Sequence, residues 1–214
     1  MISKRLLSLV KYVDANDKII DIGCDHALLD IYLVNNGFVE TIIVSDIHKK
    51  ALNSGVENIK KEGLENKIFA RLGNGLEVLD DEDDINAVII SGMGTNTILN
   101  ILNSEYTNKL NRLIIQSNND HYLLRSGICK LGFKIINEDF ILDNGKYYVN
   151  IVFERGIENY TLSDLKYGPI LKNKGKEYYE YVRNKFMEIY NNIPDDSVHK
   201  LEMKEKIKEL DDLI

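Results

Sequence analysis

Short apolar runs that end abruptly in polar residues or glycine constrain this chain more than any other feature. The runs lie at residues 18–21, 41–45, 67–72, 87–91 and 112–116, and four of them contain two or more consecutive β-branched residues. Strands that are apolar throughout belong to sheets covered on both faces, and strands that alternate with helices form parallel sheets. The sequence therefore predicts an α/β fold with a mostly parallel sheet and helices on both faces.

Glycines mark the ends of the predicted helices. The spacing of apolar residues predicts helices over residues 2–13, 26–36 and 48–62. Gly37 and Gly63 follow the second and third of these and favour the left-handed conformation that ends a helix. Two longer strands, at 133–142 and 146–154, flank Asp143-Asn144-Gly145, which is a strong hairpin signal. The hairpin adds one antiparallel strand at the edge of the sheet.

The pattern changes after Gly156, where the strand signals stop. Apolar residues then recur at helical spacing in two stretches, first Tyr178, Val182, Phe186 and Ile189, and then Met203, Ile207, Leu210 and Ile214. The second set alternates steps of four and three residues, as a coiled coil does. We therefore divide the chain into an α/β domain at 1–157 and a coiled-coil-like helical hairpin at 158–214. The hairpin is too small to fold well alone and is expected to pack on the first domain.

Composition excludes several classes of protein. Two cysteines and four histidines among 214 residues, without the spacing of metal-ligand pairs, predict neither a disulfide framework nor a metal site. No apolar run approaches the roughly 20 residues that cross a bilayer. We therefore expect a soluble, cytoplasmic protein that binds no membrane.

Charge is distributed unevenly along an acidic chain. The net charge of −7 argues against a protein that coats nucleic acid without selectivity. Residues 166–185 nevertheless hold six basic and two acidic side chains. This stretch is either a local surface for RNA or an ordinary solvated helix face.

Polar residues collect where the predicted strands end. They lie at residues 21–26, 46, 74, 91–94 and 116–118. Open α/β sheets bind ligands beyond the carboxyl ends of their strands, so these residues predict one ligand site at that edge of the sheet.

The loop after the first strand indicates which ligand it holds. It reads Asp21-Ile22-Gly23-Cys24-Asp25-His26, and Asp25 stands where a dinucleotide-binding loop has its next glycine. A carboxylate there repels a pyrophosphate, whereas S-adenosylmethionine carries a sulfonium and an ammonium group and no phosphate. The alternative is a plain tight turn between strand and helix, in which His26 is a helix-start residue. Cys24 is most simply a small buried residue. The loop favours S-adenosylmethionine over NAD.

Asp46 follows Asp21 by 25 residues, close to the spacing of about 20 at which such folds place a ribose-binding carboxylate. Its alternative role is to cap the next helix. Asn74 could meet an adenine edge or form an ordinary turn. The predicted cofactor contacts are Asp21, Gly23, Asp25, Asp46, Ile47, Gly73, Asn74, Gly75, Ser91, Gly92 and Met93.

Taken together, the motifs resemble the bacterial tRNA (adenine-22-N1)-methyltransferase family over almost the whole chain. The resemblance is carried by Arg5-Leu6, Asp21-Ile-Gly-Cys-Asp-His-Ala27, Gly73-Asn-Gly-Leu-Glu77, Gly92-Met-Gly94, Gln116-Ser-Asn118 and Gly168-Pro-Ile-Leu171. It implies a Rossmann-like class I methyltransferase sheet, S-adenosylmethionine as cofactor, tRNA as partner, and a helical extension that contacts the tRNA.

The chain departs from the family pattern at three positions. Asp30 and Ser117 stand where the family usually has proline, and Thr95 stands where it has a second glycine. Without the two prolines and the second glycine of the family, the loops on the substrate side are expected to be less rigid.

Methyl transfer to adenine N1 needs no base to create the nucleophile, because that nitrogen has a free lone pair. The ring becomes cationic, so Asp25 is a candidate to stabilise it or to accept a proton, and otherwise Asp25 only orients the cofactor. Asn118 is the second candidate catalytic residue. The predicted substrate contacts are Arg5, His26, Gln116, Lys172, Lys174 and Lys176.

Two other functions stay open on the sequence. One is methyl transfer to a small molecule or a protein, which leaves the basic stretch without a role. The other is a non-catalytic RNA-binding protein with a degenerate cofactor pocket, against which Asp21, Gly23 and Asp46 argue. We expect a monomer or a weak dimer.

Overall fold

One sheet of seven strands organises the part of the chain that the computed structural model describes, residues 2–80 and 82–214. The strands are β1 (Ile19–Ile22), β2 (Ile42–Asp46), β3 (Ile68–Leu72), β4 (Ala87–Met93), β5 (Arg112–Ser117), β6 (Phe133–Asp143) and β7 (Lys146–Arg155). Their order is β3-β2-β1-β4-β5-β7-β6, and β7 is antiparallel to both neighbours. The mostly parallel sheet with a reversed strand from the terminal hairpin is confirmed.

Helices connect the strands and cover the sheet. They are α1 (Lys4–Val10), α2 (Leu28–Asn35), α3 (Lys49–Lys61), α4 (Thr95–Leu102), α5 (His121–Lys130), α6 (Leu162–Tyr167), α7 (Lys176–Asn192) and α8 (Val198–Asp211). Gly37 and Gly63 have φ values of +71° and +68°, as expected of glycines that follow helices. The predicted helix bounds differ from the observed ones by at most three residues at each end.

The strand order reverses between β1 and β4, which lie side by side at the centre of the sheet. The chain leaves β1 toward β2 on one side and leaves β4 toward β5 on the other. A crevice therefore opens above the carboxyl ends of these two strands, where sheets of this kind bind ligands.

Alternate side chains of the central strands enter two separate cores. Ile20 and Val88 belong to the core on one face, and Ile19 and Ile89 belong to the core on the other. All four are 0% exposed. Burial on both faces explains why these strands are continuous apolar runs.

The helical extension shares the core of the α/β domain. Leu171, Tyr179 and Leu210 are at most 3% exposed and lie in the same apolar cluster as Val88. Helices α7 and α8 pack against each other as a hairpin, although Ile189 from the first predicted stripe is 48% exposed. The helical hairpin is present, while the domain boundary at 157/158 and the coiled-coil geometry stay predictions.

A buried ion pair joins the extension to the sheet. Arg125 Nε donates to Glu138 Oε1 at 2.7 Å, and the two side chains are 1% and 0% exposed. Glu138 Oε2 accepts the backbone N–H groups of Ile170 and Leu171, both at 3.0 Å. Buried charges need such additional partners, because desolvation otherwise outweighs their attraction.

The segment after α6 is shaped around this pair. Arg125 Nη1 donates to the carbonyls of Leu165 and Lys166, each at 3.2 Å. Gly168 has a φ of +82°, and a Cβ there would lie 2.4 Å from Glu138 Oε2. Glycine is therefore required at the start of the Gly168-Pro-Ile-Leu motif.

We expect Glu138→Ala to lower the free energy of unfolding by about 3–5 kcal/mol, because it leaves the Arg125 guanidinium buried without its counter-charge. Asp211→Ala is the control, since it removes an ion pair with Arg183 whose side chains are 47% and 33% exposed, and it should cost less than about 1 kcal/mol. Urea titrations of both variants give the comparison. Equal effects would contradict the central role of the buried pair.

Candidate active site

Six of the predicted site residues line one cavity near the carboxyl ends of β1 and β4, whereas the predicted lysines lie in the helical extension. The cavity has a volume of about 80 Å³, and its lining includes Arg5, Asp21, Gly23, Asp25, His26 and Ser91. The loop after β1 is tied to β2, because the Gly23 N–H donates to the Ser45 carbonyl at 2.8 Å. The sheet thus brings residues from distant parts of the chain to one crevice.

The loop after β1 has an unusual backbone. Gly23, Asp25 and Ala27 have φ values of +79°, +48° and +53°. Two of these are not glycine, and such residues are strained in the left-handed region. The loop turns sharply enough that a Cβ on Gly23 would lie 2.2 Å from Met93 Cε. The Asp25 side chain is 66% exposed and lies 3.7 Å from His26 Nε2.

Asp46 ends β2 and is 8% exposed as a whole residue. Its Oδ1 accepts the His48 N–H at 2.7 Å, at the beginning of α3. This bond orients the backbone at His48, the residue before α3, but α3 has no side-chain cap at its N-cap position. A carboxylate has further acceptor capacity for hydroxyl groups, so ribose binding by Asp46 stays a prediction. The next side chain, Ile47, is 60% exposed beside it.

The loop after β3 is compact. Asn74 Nδ2 donates to Glu77 Oε1 at 3.0 Å, and a Cβ on Gly73 would lie 2.5 Å from Val78. Gly75 has a φ of +57°. Asn74 is exposed, which leaves its side chain accessible to a ligand.

Asn118 holds the ends of β4 and β5 together. Its N–H donates to the Met93 carbonyl at 2.9 Å, and its Nδ2 donates to the Gly92 carbonyl at 2.6 Å. Gly92 lies at an irregularity between Ser91 and Met93 in the β4–β5 pairing and has a φ of +78°. The Asn118 side chain is therefore exposed but oriented.

Gln116 lies beneath Arg5 rather than at the surface. It is 0% exposed, and its Oε1 accepts the Arg5 Nη1 at 2.9 Å. Its Nε2 donates to Asn150 Oδ1 at 2.5 Å. Both ends of the amide are thus engaged with protein, and Gln116 orients Arg5, whose guanidinium carbon is 5.6 Å from the Tyr148 ring.

Asn150 supports this arrangement and was missed by sequence reasoning. Its Nδ2 donates to Ser8 Oγ at 2.9 Å and to Asp139 Oδ1 at 2.8 Å. The residue is 0% exposed in the middle of an apolar strand. A polar residue between Val149 and Ile151 was the signal that could have identified it.

Two of the departures from the family pattern contact each other. The hydroxyl oxygens of Thr95 and Ser117 are 2.8 Å apart, and these residues are 1% and 3% exposed. The Thr95 N–H also donates to Asn119 Oδ1 at 2.9 Å. Hydrogen bonds thus connect the loops after β4 and β5, which argues against the expected loosening at Thr95 and Ser117.

Half of the basic residues in 166–185 are neutralised by acids outside that stretch. Lys166 pairs with Glu209, Lys172 with Asp164, and Arg183 with Asp211. The Asp164 pKa is lowered to about 2 by its hydrogen bonds, first of all the one from Lys172. Lys174, Lys176 and Lys185 are exposed. Lys174 lies 3.5 Å from Asn137 Oδ1.

Other chemistries find no support in the described part of the chain. No group of three or more potential metal ligands occurs among residues 2–80 and 82–214. Within the same residues, no helix is both long and apolar enough to cross a membrane. Burial raises the pKa of the Cys24 thiol far above its usual range, which disfavours a thiolate nucleophile.

Comparisons with known proteins identify the fold and the family that the sequence motifs predict. The family model described as a methyltransferase domain matches residues 2–151. The Bacillus subtilis tRNA (adenine(22)-N(1))-methyltransferase is 34% identical over 158 residues, which span 72% of this chain and just under two thirds (66%) of that protein.

Solved structures match over the full length. The Streptococcus pneumoniae putative tRNA (m1A22) methyltransferase, solved with S-adenosyl-L-methionine, is 30% identical with a TM-score of 0.90, covering 100% of this chain and 99% of that one. The Mycoplasma capricolum enzyme TrmK, solved with S-adenosyl-homocysteine, is 32% identical with a TM-score of 0.87 over the same shares.

We expect Thr95→Val and Ser117→Ala to show a coupling of about 0.5–1.5 kcal/mol in the free energy of unfolding, because each removes the same hydroxyl contact. Thr97→Val, at an exposed position of the same helix, is the control partner for Ser117→Ala and should be additive within about 0.5 kcal/mol. Denaturant unfolding of the two double-mutant cycles measures both. Additivity in the first cycle would show that the loops are not joined through these hydroxyls.

Proposed function

The chain belongs to the family of tRNA (adenine(22)-N(1))-methyltransferases, and on that premise we propose that it transfers a methyl group from S-adenosylmethionine to N1 of adenine 22 in the D-arm region of tRNA. The observation that carries the proposal is that the loop after β1, with positive φ at Gly23, Asp25 and Ala27, lies beside two buried carboxyl groups, Asp21 and Asp46, at adjacent strand ends.

The residues of the crevice fit this cofactor. Asp21, Asp25 and Asp46 provide acceptors and negative charge, which suit an ammonium group, a sulfonium group and two ribose hydroxyls. Gly23 lacks the side chain that would obstruct close approach to the loop. When bound, the cofactor supplies an electrophilic methyl group.

We assign the cofactor contacts by chemistry. Asp46 would accept the ribose hydroxyls, and the exposed Ile47 side chain would cover the adenine. Asn74 would meet an adenine edge, and Asp21 would hold the ammonium group. Gly73, Gly75, Ser91, Gly92 and Met93 would line the remainder through backbone and small or flexible side chains.

The reaction asks the protein mainly for alignment and exclusion of water. Adenine N1 attacks with its own lone pair, so no residue needs to remove a proton first. The methylated ring is cationic until a proton leaves N6, and the exposed Asp25 carboxylate would stabilise that charge or accept the proton. Asn118 would hold the base edge, since its orientation is set by the Gly92 and Met93 carbonyls.

Arg5, His26 and the extension would contact the RNA. Gln116 holds Arg5 at the rim of the crevice, and His26 lies beside Asp25. On α7, Lys185 Nζ lies 4.5 Å from the centre of the Tyr181 ring, which in turn is 4.7 Å from the Tyr147 ring. Exposed cations among aromatic rings suit unpaired RNA bases and phosphates.

The direct test is mass spectrometry of nucleosides from a tRNA transcript incubated with the protein and S-adenosylmethionine. We expect one methyl group per transcript on adenine N1, and none on a transcript with guanine at position 22. Methylation of both transcripts would contradict adenine 22 as the methylated position. No methylation with intact tRNA binding would favour a non-catalytic RNA-binding protein.

A tRNA substrate also supports the expectation of a cytoplasmic enzyme. That the protein is a monomer or a weak dimer stays a prediction.

Two isosteric variants separate cofactor binding from chemistry. Asp46→Asn keeps an oxygen for the His48 N–H but loses a charged acceptor, so cofactor affinity should fall by about 1.5–3 kcal/mol. Asp25→Asn should slow the single-turnover rate at saturating cofactor more than it weakens binding. Calorimetry and rapid-quench assays give the two quantities. A normal rate with weakened binding would make Asp25 an orienting residue only.

Charge reversal tests the RNA-contacting surface. Lys174, Lys176 and Lys185 changed together to Glu should weaken tRNA binding and reduce its log–log salt slope by about 0.7–0.9 for each phosphate that the protein no longer neutralises. Cofactor affinity should not change. The matched control reverses Lys60, Lys61 and Lys67, which are exposed at the opposite edge of the sheet. Equal effects of the two triple variants would mean that the tRNA does not contact these three lysines.

A further inference from the structure

Asp30 is a buried carboxyl group that the proposed reaction leaves unused. It lies in the first turn of α2, is 0% exposed, and receives no hydrogen bond from another described residue at either oxygen. Asp21, which is 5% exposed at the end of β1, is the carboxyl group within electrostatic and hydrogen-bonding range of it. Two ionised carboxylates are both acceptors and cannot hydrogen-bond, whereas a carboxylic acid can donate to a carboxylate.

The groups around this pair offer it little positive charge. Asp46 on β2 adds negative charge, and the Cys24 thiol is kept neutral by a raised pKa whose main cause is burial. Arg5 on α1 is the cation that acts on Asp21, and its Nη1 is engaged by Gln116. A proton shared between the carboxyl groups is therefore the means of keeping the pair at a single negative charge.

The two members of the pair differ in position. Asp21 lines the cavity beneath the Gly23 loop, whereas Asp30 lies behind it and does not line that cavity. Burial is the main cause that raises the pKa of Asp21 to about 7, and a hydrogen-bond donor on Asp30 opposes that rise. Burial also raises the pKa of Asp30 well above its ordinary value, and the nearby charge of Asp21 raises it further.

We propose that Asp30 is a positioning residue whose protonated carboxyl group donates a hydrogen bond to Asp21 and holds it as an oriented carboxylate for the cofactor's ammonium group. This inference rests on the proposed function, since it concerns the same cofactor. Asp30 does not touch the cofactor and acts only through Asp21. Below the Asp21 pKa both carboxyl groups are protonated, and the pair must lose the proton of Asp21, while Asp30 keeps its own, before it binds a cation.

A dependence of cofactor affinity on pH follows. The ammonium group needs Asp21 ionised, so affinity rises as the pH increases through the Asp21 pKa near 7. Below that pKa, binding expels one proton from Asp21 to the solvent, and affinity changes by at most tenfold per pH unit. Above it, Asp21 is already ionised, Asp30 keeps its proton, and affinity levels off.

Two variants of Asp30 distinguish a donor from a charge. Asp30→Asn retains a donor toward Asp21, so affinity should stay within about twofold of the unmodified protein, with the same pH midpoint. Asp30→Ala removes the donor, so affinity at pH 7 should fall by about tenfold and the midpoint should move to higher pH. Calorimetric titrations with S-adenosyl-homocysteine from pH 5.5 to 8.5 measure both quantities. Equal losses in the two variants would overturn the proposal.

A second measurement needs no cofactor. Because the folded-state pKa of Asp30 is raised, its contribution to stability is present below its unfolded pKa near 4 and is lost as the pH rises toward its folded pKa. Urea unfolding between pH 5 and 8 should therefore show a smaller loss of stability with pH in Asp30→Asn than in the unmodified protein, by up to tenfold in the unfolding constant per pH unit.

The two measurements separate the possible failures. Identical pH dependence of unfolding in Asp30→Asn and the unmodified protein would overturn the shared proton while leaving the proposed methyltransferase function intact. No binding of S-adenosyl-homocysteine to the unmodified protein would contradict the proposed function and the positioning role together, even if the unfolding series revealed a protonated pair.

Discussion

The buried Arg125–Glu138 ion pair is the interaction on which the combination of sheet and helical extension depends. Its two charges are almost completely removed from water, and the N–H groups of Ile170 and Leu171 complete the hydrogen bonding of Glu138. Those donors come from the extension, while the acid comes from β6 and the base from α5. The extension therefore supplies hydrogen-bond donors that a buried acid of the α/β domain needs. Helix α7 begins only a few residues after Leu171, which is held by one of these bonds.

Local sequence patterns were sufficient to predict the sheet and most of the crevice. Apolar runs identified the strands, and the parallel arrangement brings the residues at or just beyond the end of each run to the same edge. Asp21, Asp46 and Asn118 could therefore be predicted to lie there without knowing the strand order. What could not be predicted are contacts between side chains far apart in the chain. Gln116 was a plausible ligand until the structure brought Arg5, 111 residues earlier, onto its amide oxygen.

The distribution of charge and the departures from the family pattern also failed to show contacts between residues that are far apart in the chain. Residues 166–185 include six basic side chains, but Lys166 and Arg183 form ion pairs with acidic residues of α8, outside that stretch. Likewise, Thr95 and Ser117 taken separately suggest two losses of rigidity, whereas together they form one buried contact. A compensating partner is invisible to composition because it is defined by packing rather than by distance along the chain.

The attachment of α1 also affects how the molecule can be assembled. Arg5 donates its backbone N–H to Asp143 and its guanidinium to Gln116, and Ser8 accepts from Asn150. These partner residues lie 111 to 142 positions later in the sequence than the α1 residues that they contact. During synthesis, α1 therefore lacks these partners until the β6–β7 hairpin has been made. Contacts between residues so far apart in the sequence slow folding. The rim of the crevice is thus among the last parts to form, because a chain that lacks β7 also lacks the Asn150 side chain that supports Gln116 and Ser8.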